Sequence, residues 1–159
     1  MTQQIETTQA PAFELILAPS VSSGLTEGAA RNRRAIEAAY RAMIAGDQGA
    51  LFALLAVDVE FHEASSLPYG GSFSGLEGAR AGVVGMFSAW SHLRVEIEEL
   101  VAGGDLVIVY LWMRATARAT GEVYEGPTAE LFRFKDGKIS EWRPIYWDTH
   151  RVRQVCALS

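Results

Sequence analysis

The chain has 159 residues, 49% of them apolar, enough for one domain with its own core. Its formal charge of −5 carries no strong segregation of sign, which argues against a nucleic-acid partner, since a phosphate backbone needs a basic face. No apolar run approaches the roughly 18 residues of a membrane span, and the single cysteine, Cys156, cannot form a disulfide within the chain.

The first residues lack the basic start and apolar stretch of a secretory leader, so the expected location is a reducing cytoplasm. Residues 1–24, rich in Gln, Thr, Ser, Pro and Ala, read as an irregular arm on which Phe13 to Leu17 can dock back. A single domain is expected over 25–159. Thr26 can cap a helix with Glu27 in its first turn. Ile36, Ala39, Tyr40, Met43 and Ile44 recur at helical spacing until Gly46 stops it. Asp47 can cap a second, shorter helix carrying Leu51, Phe52, Leu54 and Leu55. Val57, Val59, Phe61 and Glu63 then alternate with Asp58, Glu60 and His62, the period of a strand. The Ser-Ser-Leu-Pro-Tyr-Gly-Gly run at 65–71 predicts a loop. Ser74 and Glu77 form a capping box that opens a third helix through Leu76, Ala79, Val83, Met86, Phe87 and Trp90. From there the period changes to two. Strands are predicted near 92–101, 106–118, 122–135 and 138–147, and Asp136-Gly137 is a strong hairpin signal.

Three helices in the N-terminal half followed by an antiparallel meander predict an α+β fold. A long twisted sheet with helices on its concave face leaves an apolar pocket between them. The strand over 106–118 is apolar on both faces: Val107, Val109, Leu111 and Met113 on one, Ile108, Tyr110 and Trp112 on the other. A sheet wet on one side should not look like this, so a second copy of the chain is expected to cover the outer face, a dimer being favoured.

No GxSxG elbow, P-loop or GxGxxG is present. His62, His92 and His150 lack metal-ligand spacing, so a dedicated zinc site is not expected. Arg31, Arg33 and Arg34 read as a solvated helix face. What remains is a set of acids and phenols aimed inward. Glu63 is in phase with Val59 and Phe61; Glu130 shares its face with Phe132 and Phe134. A carboxyl facing an apolar core responds by raising its pKa. Such a group can donate a hydrogen bond while neutral, or act as a base. Glu63 can instead turn outward or pair with Arg114 or Arg143. Tyr40, on the buried stripe of its helix, is a core tyrosine or a donor at the pocket floor. Trp90, Trp142 and Tyr146 form an aromatic wall or ordinary core. Asp148 turns toward the pocket mouth or caps the C-terminal segment. His62 is out of phase with Phe61 and is expected at the surface or in an interface.

The order of elements, the A-Y-R-A-M-I-A-G-D stretch, the E-L-F-R-F-K-D-G-K-I hairpin and the terminal E-W-R-P-I-Y-W-D resemble the NTF2-like superfamily over roughly residues 28 to 155. Within it they are closest to SnoaL-like and ketosteroid-isomerase-like proteins. The resemblance implies a cone-shaped α+β barrel, a deep apolar pocket, frequent dimers and chemistry without metal or organic cofactor. Carried over residue by residue, the catalytic acid of the ketosteroid isomerases falls on Glu63, and their neutral oxyanion-hole acid on Glu130. Their last-strand aromatic falls on Tyr146, and their oxyanion tyrosine falls on Ala39, beside Tyr40. The aspartate that SnoaL-like cyclases carry after the last strand is similar to Asp148, if a bulge near Pro144 adds one residue. The Asp-Arg-Asp set of limonene-type epoxide hydrolases is absent. The expectation is a cofactor-independent acid–base enzyme, of isomerase, cyclase or lyase type, acting on a hydrophobic aromatic or multi-ring small molecule. Glu63 would be the base and Glu130 the neutral donor. Tyr40 and Asp148 would assist, with Phe61, Tyr69, Trp90, Phe132, Trp142 and Tyr146 shaping the cavity. The alternative is a module of the same fold that binds a small molecule or a protein without catalysis.

Overall fold

In the computed structural model, which describes residues 25–157, Thr26 caps the first helix as its sequence predicts. Its hydroxyl accepts from the Ala29 amide at 3.1 Å. That helix, α1 (Glu27–Ile44), buries Ala29, Asn32, Ile36 and Ala39 along one face and ends before Gly46, whose φ is +106°. The arm over 1–24, with Phe13 to Leu17, lies outside the described residues.

The second predicted helix shrinks to one 3-10 turn, Phe52–Leu54. The Asp47 carboxylate accepts from the Gly49 amide at 3.0 Å and so closes a local turn, and Leu55 already opens strand β1 (Leu55–Glu63). The predicted loop ends in an unforeseen short strand, β2 (Gly71–Ser74), which pairs with β1 and sets Phe73 opposite Phe61. This pairing also undoes the expected capping box. Ser74 holds the N-cap position of α2 (Gly75–Ala89), but its hydroxyl donates across the strands to Glu60 Oε2 at 2.9 Å. Trp90 leaves the helix and opens β3 (Trp90–Gly103). Strands β4 (Leu106–Ala117), β5 (Val123–Lys135) and β6 (Lys138–Tyr146) complete the predicted meander, and an unforeseen helix, α3 (Thr149–Cys156), follows it. The three α-helices are therefore not all in the N-terminal half.

The six strands form one curved sheet in the order β2-β1-β6-β5-β4-β3. Every pair is antiparallel except β1 with β6, which is parallel because the chain returns to β1 only after completing the meander. The sheet is thus mixed rather than wholly antiparallel. Asp136 and Gly137 both take positive φ, +51° and +77°, as a tight hairpin demands. The irregularity of the last hairpin falls at Ser140, between the pairs Arg133–Glu141 and Phe134–Ile139, and not at Pro144, which faces Glu130 in register.

The core fills the space between the sheet's inner face and the helices, with Val107, Val109, Leu111, Met113, Phe132 and Ile139 all buried. Gly82 lets α2 sit directly on β1 and β2; a Cβ there would lie 2.7 Å from both the Phe61 and the Phe73 ring. The outer face carries the apolar row that the sequence predicts, with Tyr110 42% and Trp112 36% exposed. Among the described residues no helix is long and apolar enough to cross a membrane.

Candidate functional site

The strand phases hold at both acids. On β1, Val59 and Phe61 are fully buried and Glu63 is 4% exposed. On β5, Phe132 and Phe134 are buried, and Glu130 reaches a pocket of about 640 Å³. This pocket lies between α1, α2 and the meander. Met43, Val83, Met86, Leu93, Ile97 and Leu111 give it an apolar wall, Gln48 sits in its lining, and Tyr40, Glu130 and Trp142 supply its other polar atoms. Ile44, Phe87 and Val95 also line it while remaining largely exposed, which places them at its mouth.

The Tyr40 hydroxyl donates to Glu130 Oε2. No cation pairs with Glu130 or Glu63 among the described residues. Arg114 is engaged by Glu125, and Arg143 by Glu141, so the ion pairs weighed for Glu63 do not form. Burial pushes the Glu130 carboxyl up to about 7, against the Tyr40 hydrogen bond that stabilises its anion. Glu63 is pushed up to about 8, first by burial and then by the charge of Glu130, while a hydrogen bond from the Tyr146 hydroxyl at 3.3 Å opposes the rise. Tyr40 and Tyr146 are held well above the usual phenol range, by burial first and then by the neighbouring carboxylates. Near neutral pH the pair therefore carries exchangeable protons, and no fixed counter-charge locks either acid in one state.

Glu63 does not share the wall of the large pocket. In the sheet β6 lies between β1 and β5, and Trp142 on β6 packs between Phe61 and Phe132, with ring centroids 4.7 and 5.6 Å away. Glu63 lies beyond β6 on β1 and, with Tyr146, lines a smaller hollow of about 210 Å³ near the start of α3. Of the residues expected to form the cavity, Tyr40, Glu130 and Trp142 line it. Phe61, Tyr69, Trp90, Phe132 and Tyr146 are buried and do not line it; Tyr69 packs edge-on against both Trp90 and Tyr146. Asp148 is not at the pocket. Its side chain is exposed and accepts from the Arg151 amide at 2.8 Å as the N-cap of α3, an end that needs such an acceptor. His62 faces outward, as its phase predicts, with Nδ1 2.9 Å from the Ser72 hydroxyl.

Sequence reasoning missed the pocket-lining part of Met43, Gln48, Leu51, Leu93 and Ile97. The helical stripe and the alternation on β3 mark their apolar members as inward, but periodicity cannot tell a cavity wall from a filled core. Among the described residues no three His, Cys, Asp or Glu side chains gather to hold a metal ion.

A SnoaL-like domain model matches residues 36–142. No curated protein matches the chain. Solved structures of the same fold include an NTF2-like protein from Burkholderia thailandensis, 24% identical, covering 80% of this chain and 98% of its own, with a TM-score of 0.71. A SnoaL-like polyketide cyclase, so named provisionally, from Jannaschia is 17% identical over 87% of this chain and all of its own, TM-score 0.68. TerC, co-crystallised with polyporic acid, is 21% identical over 79% of this chain and 98% of its own, TM-score 0.67.

Proposed function

This chain belongs to the SnoaL-like domain family, and from that premise we propose that it is a cofactor-independent acid–base enzyme acting on a hydrophobic ring-bearing carbonyl or phenolic molecule held in the 640 Å³ pocket. One observation carries the reading. Glu130 stands on an apolar wall without a cation, is hydrogen-bonded by Tyr40, and is poised to gain or lose a proton at about pH 7. A passive greasy pocket has no need of such a group. Tyr40 fixes the carboxyl and steadies its anion. Glu63 holds its proton to higher pH and sits two strands away, beyond β6, so we assign the roles differently from the sequence expectation. Glu130 meets the substrate and moves the proton, and Glu63 is a reserve acid whose own proton the Glu130 charge helps to hold. Isomerisation, ring closure and elimination are all within reach of one such proton transfer.

The probe is 2-tetralone, an aromatic bicycle whose α-protons exchange through an enolate. Wild-type protein in heavy water is expected to speed deuterium incorporation at the α-carbons, followed by proton NMR, and Glu130→Gln is expected to lose most of that rate. Exchange that is equal in both proteins would remove Glu130 from the chemistry. Binding of the ketone without accelerated exchange favours the rival, a binding module of the same fold.

The outer sheet face supports a second element of the reading, a homodimer. Tyr110 and Trp112 stand exposed there beside Ile145, itself 48% exposed. Trp112→Glu is expected to convert dimer to monomer in sedimentation velocity. A wild-type chain that sediments as a monomer at tens of micromolar would contradict it.

A further inference from the structure

We infer that the groove adjoining the pocket binds a carboxylate, with the Arg80 guanidinium as its counter-charge, so that the molecule taken up is an acidic amphiphile: rings in the pocket, an anionic tail in the groove. The inference rests on the ligand pocket proposed above and adds a charge to the substrate class and a residue that the catalytic reading leaves without a role.

The groove, about 580 Å³, is lined by Gln48, Phe52, Ala53, Leu76, Glu77 and Arg80, from the turn before β1 and the start of α2. Gln48 and Phe52 also line the 640 Å³ pocket, so the two spaces meet at these side chains. Gln48 and Arg80 are exposed, and a solute reaches both from water. The Arg80 guanidinium carbon lies 5.1 Å from the centroid of the Phe52 ring, which holds the charge against the groove wall. No acid pairs with Arg80 among the described residues, whereas Arg41, Arg114, Arg133 and Arg143 each have a carboxylate partner. Arg80 is also the only lysine or arginine lining either space among those residues. Lys138 adds a second positive charge at one edge, where its ammonium donates to the Ala53 carbonyl at 2.8 Å. Glu77 subtracts one. The balance suits an anion of single charge, and a planar carboxylate matches the guanidinium fork. Gln48 spends one amide hydrogen on the Met43 carbonyl at 3.4 Å and has a second to give. The pocket itself rejects an anion. Its wall is apolar and no cation lines it, so a charge carried inside would be buried without a partner. An ionised tail therefore stays at the edge, in water, where Arg80 stands. The exposure of that arginine keeps the pair modest in strength and sensitive to salt.

The test compares 4-(2-naphthyl)butanoate with its uncharged primary amide on the full chain by isothermal titration calorimetry. At about pH 6 the probe's carboxylate is ionised while Glu130 and Glu63 largely keep their protons. Wild type is expected to bind the carboxylate about fivefold more tightly than the amide at low salt, and to lose most of that preference at about 0.5 M salt. Arg80→Gln is expected to cut the preference below about twofold with the affinity for the amide unchanged, Arg80→Lys to retain part of it, and Glu77→Gln to widen it. The salt dependence of wild type keeps the test decisive should Arg80→Gln disturb the Phe52 ring beneath it. Amide binding with no preference for the carboxylate would overturn the inference and leave the pocket reading standing, as would a preference that persists undiminished in Arg80→Gln or at high salt. Failure of both molecules to bind would remove the pocket reading and this inference together.

Discussion

Glu125 and Glu130 lie on the same strand, on opposite faces, and their surroundings drive them in opposite directions. Glu125 is on the outer face, where the Trp112 indole donates to it at 3.1 Å and Arg114 pairs with it, and its carboxyl is lowered below the ordinary range. Glu130 faces the pocket with a tyrosine for a partner and no cation, and burial lifts it to about 7. Residue type and strand are shared. What differs is water and counter-charge. An acid with an arginine in solvent is a surface ion pair of small value; an acid in an apolar wall is a group whose protonation is in play at neutral pH.

The largest expected effect separates the two acids by activity. Glu130→Gln should cost about 10²–10⁴ in proton-transfer rate, the usual contribution of a positioned acid or base, while Glu125→Gln should change it less than about twofold. Ketone exchange rates of both variants check this. Stability against pH comes next. The folded chain keeps protons on Glu130 and Glu63 where the unfolded chain has lost them. Stability therefore falls as pH rises from the ordinary carboxyl value near 4.5 through about 7 and about 8, and the loss is complete above that. At pH 9 Glu130→Gln is expected to be more stable than wild type by on the order of a few kcal/mol, with the gap closing below about pH 5, measured by urea denaturation across pH. The Glu125–Arg114 pair runs the other way, its small contribution being lost as pH falls. Tyr40→Phe should be milder. It removes the hydrogen bond that lowers the Glu130 pKa, so the midpoint of the pH–rate profile should move up, with a loss of about tenfold in rate at pH 7. Least of all, Arg114→Gln should cost less than about 1 kcal/mol and leave the pH–rate profile in place.

How much was legible follows from the range of the forces involved. The long strands announced themselves because alternation over 12 or 13 residues, as in β4 and β5, leaves little room for another reading. Glu130 could be placed for the same reason, being in phase with Phe132 and Phe134. Strand β2, four residues long and opening on Gly71, has too few positions to show a period, and its partner on β1 is what makes it a strand. Helix α3 was hidden for a similar reason, although Asp148 carried its signal as a cap. The separation of Glu63 from the pocket was not readable at all. It depends on β6 pairing parallel to β1 and so lying between the strands that carry the acids, a contact between segments about eighty residues apart that no local pattern encodes. The same strand places Trp142 on the pocket wall.

The central claim, that two acids titrate near neutrality because an apolar interior surrounds them without a cation, is tested most directly by carbon-detected NMR titration of the glutamate side-chain carboxyls, assigned with Glu63→Gln and Glu130→Gln. Resonances titrating near pH 7 and pH 8, each lost in its own variant, with Glu125 titrating below the ordinary value, are the predicted result. Glu63 and Glu130 titrating with the surface glutamates near pH 4 to 4.5 would contradict the account.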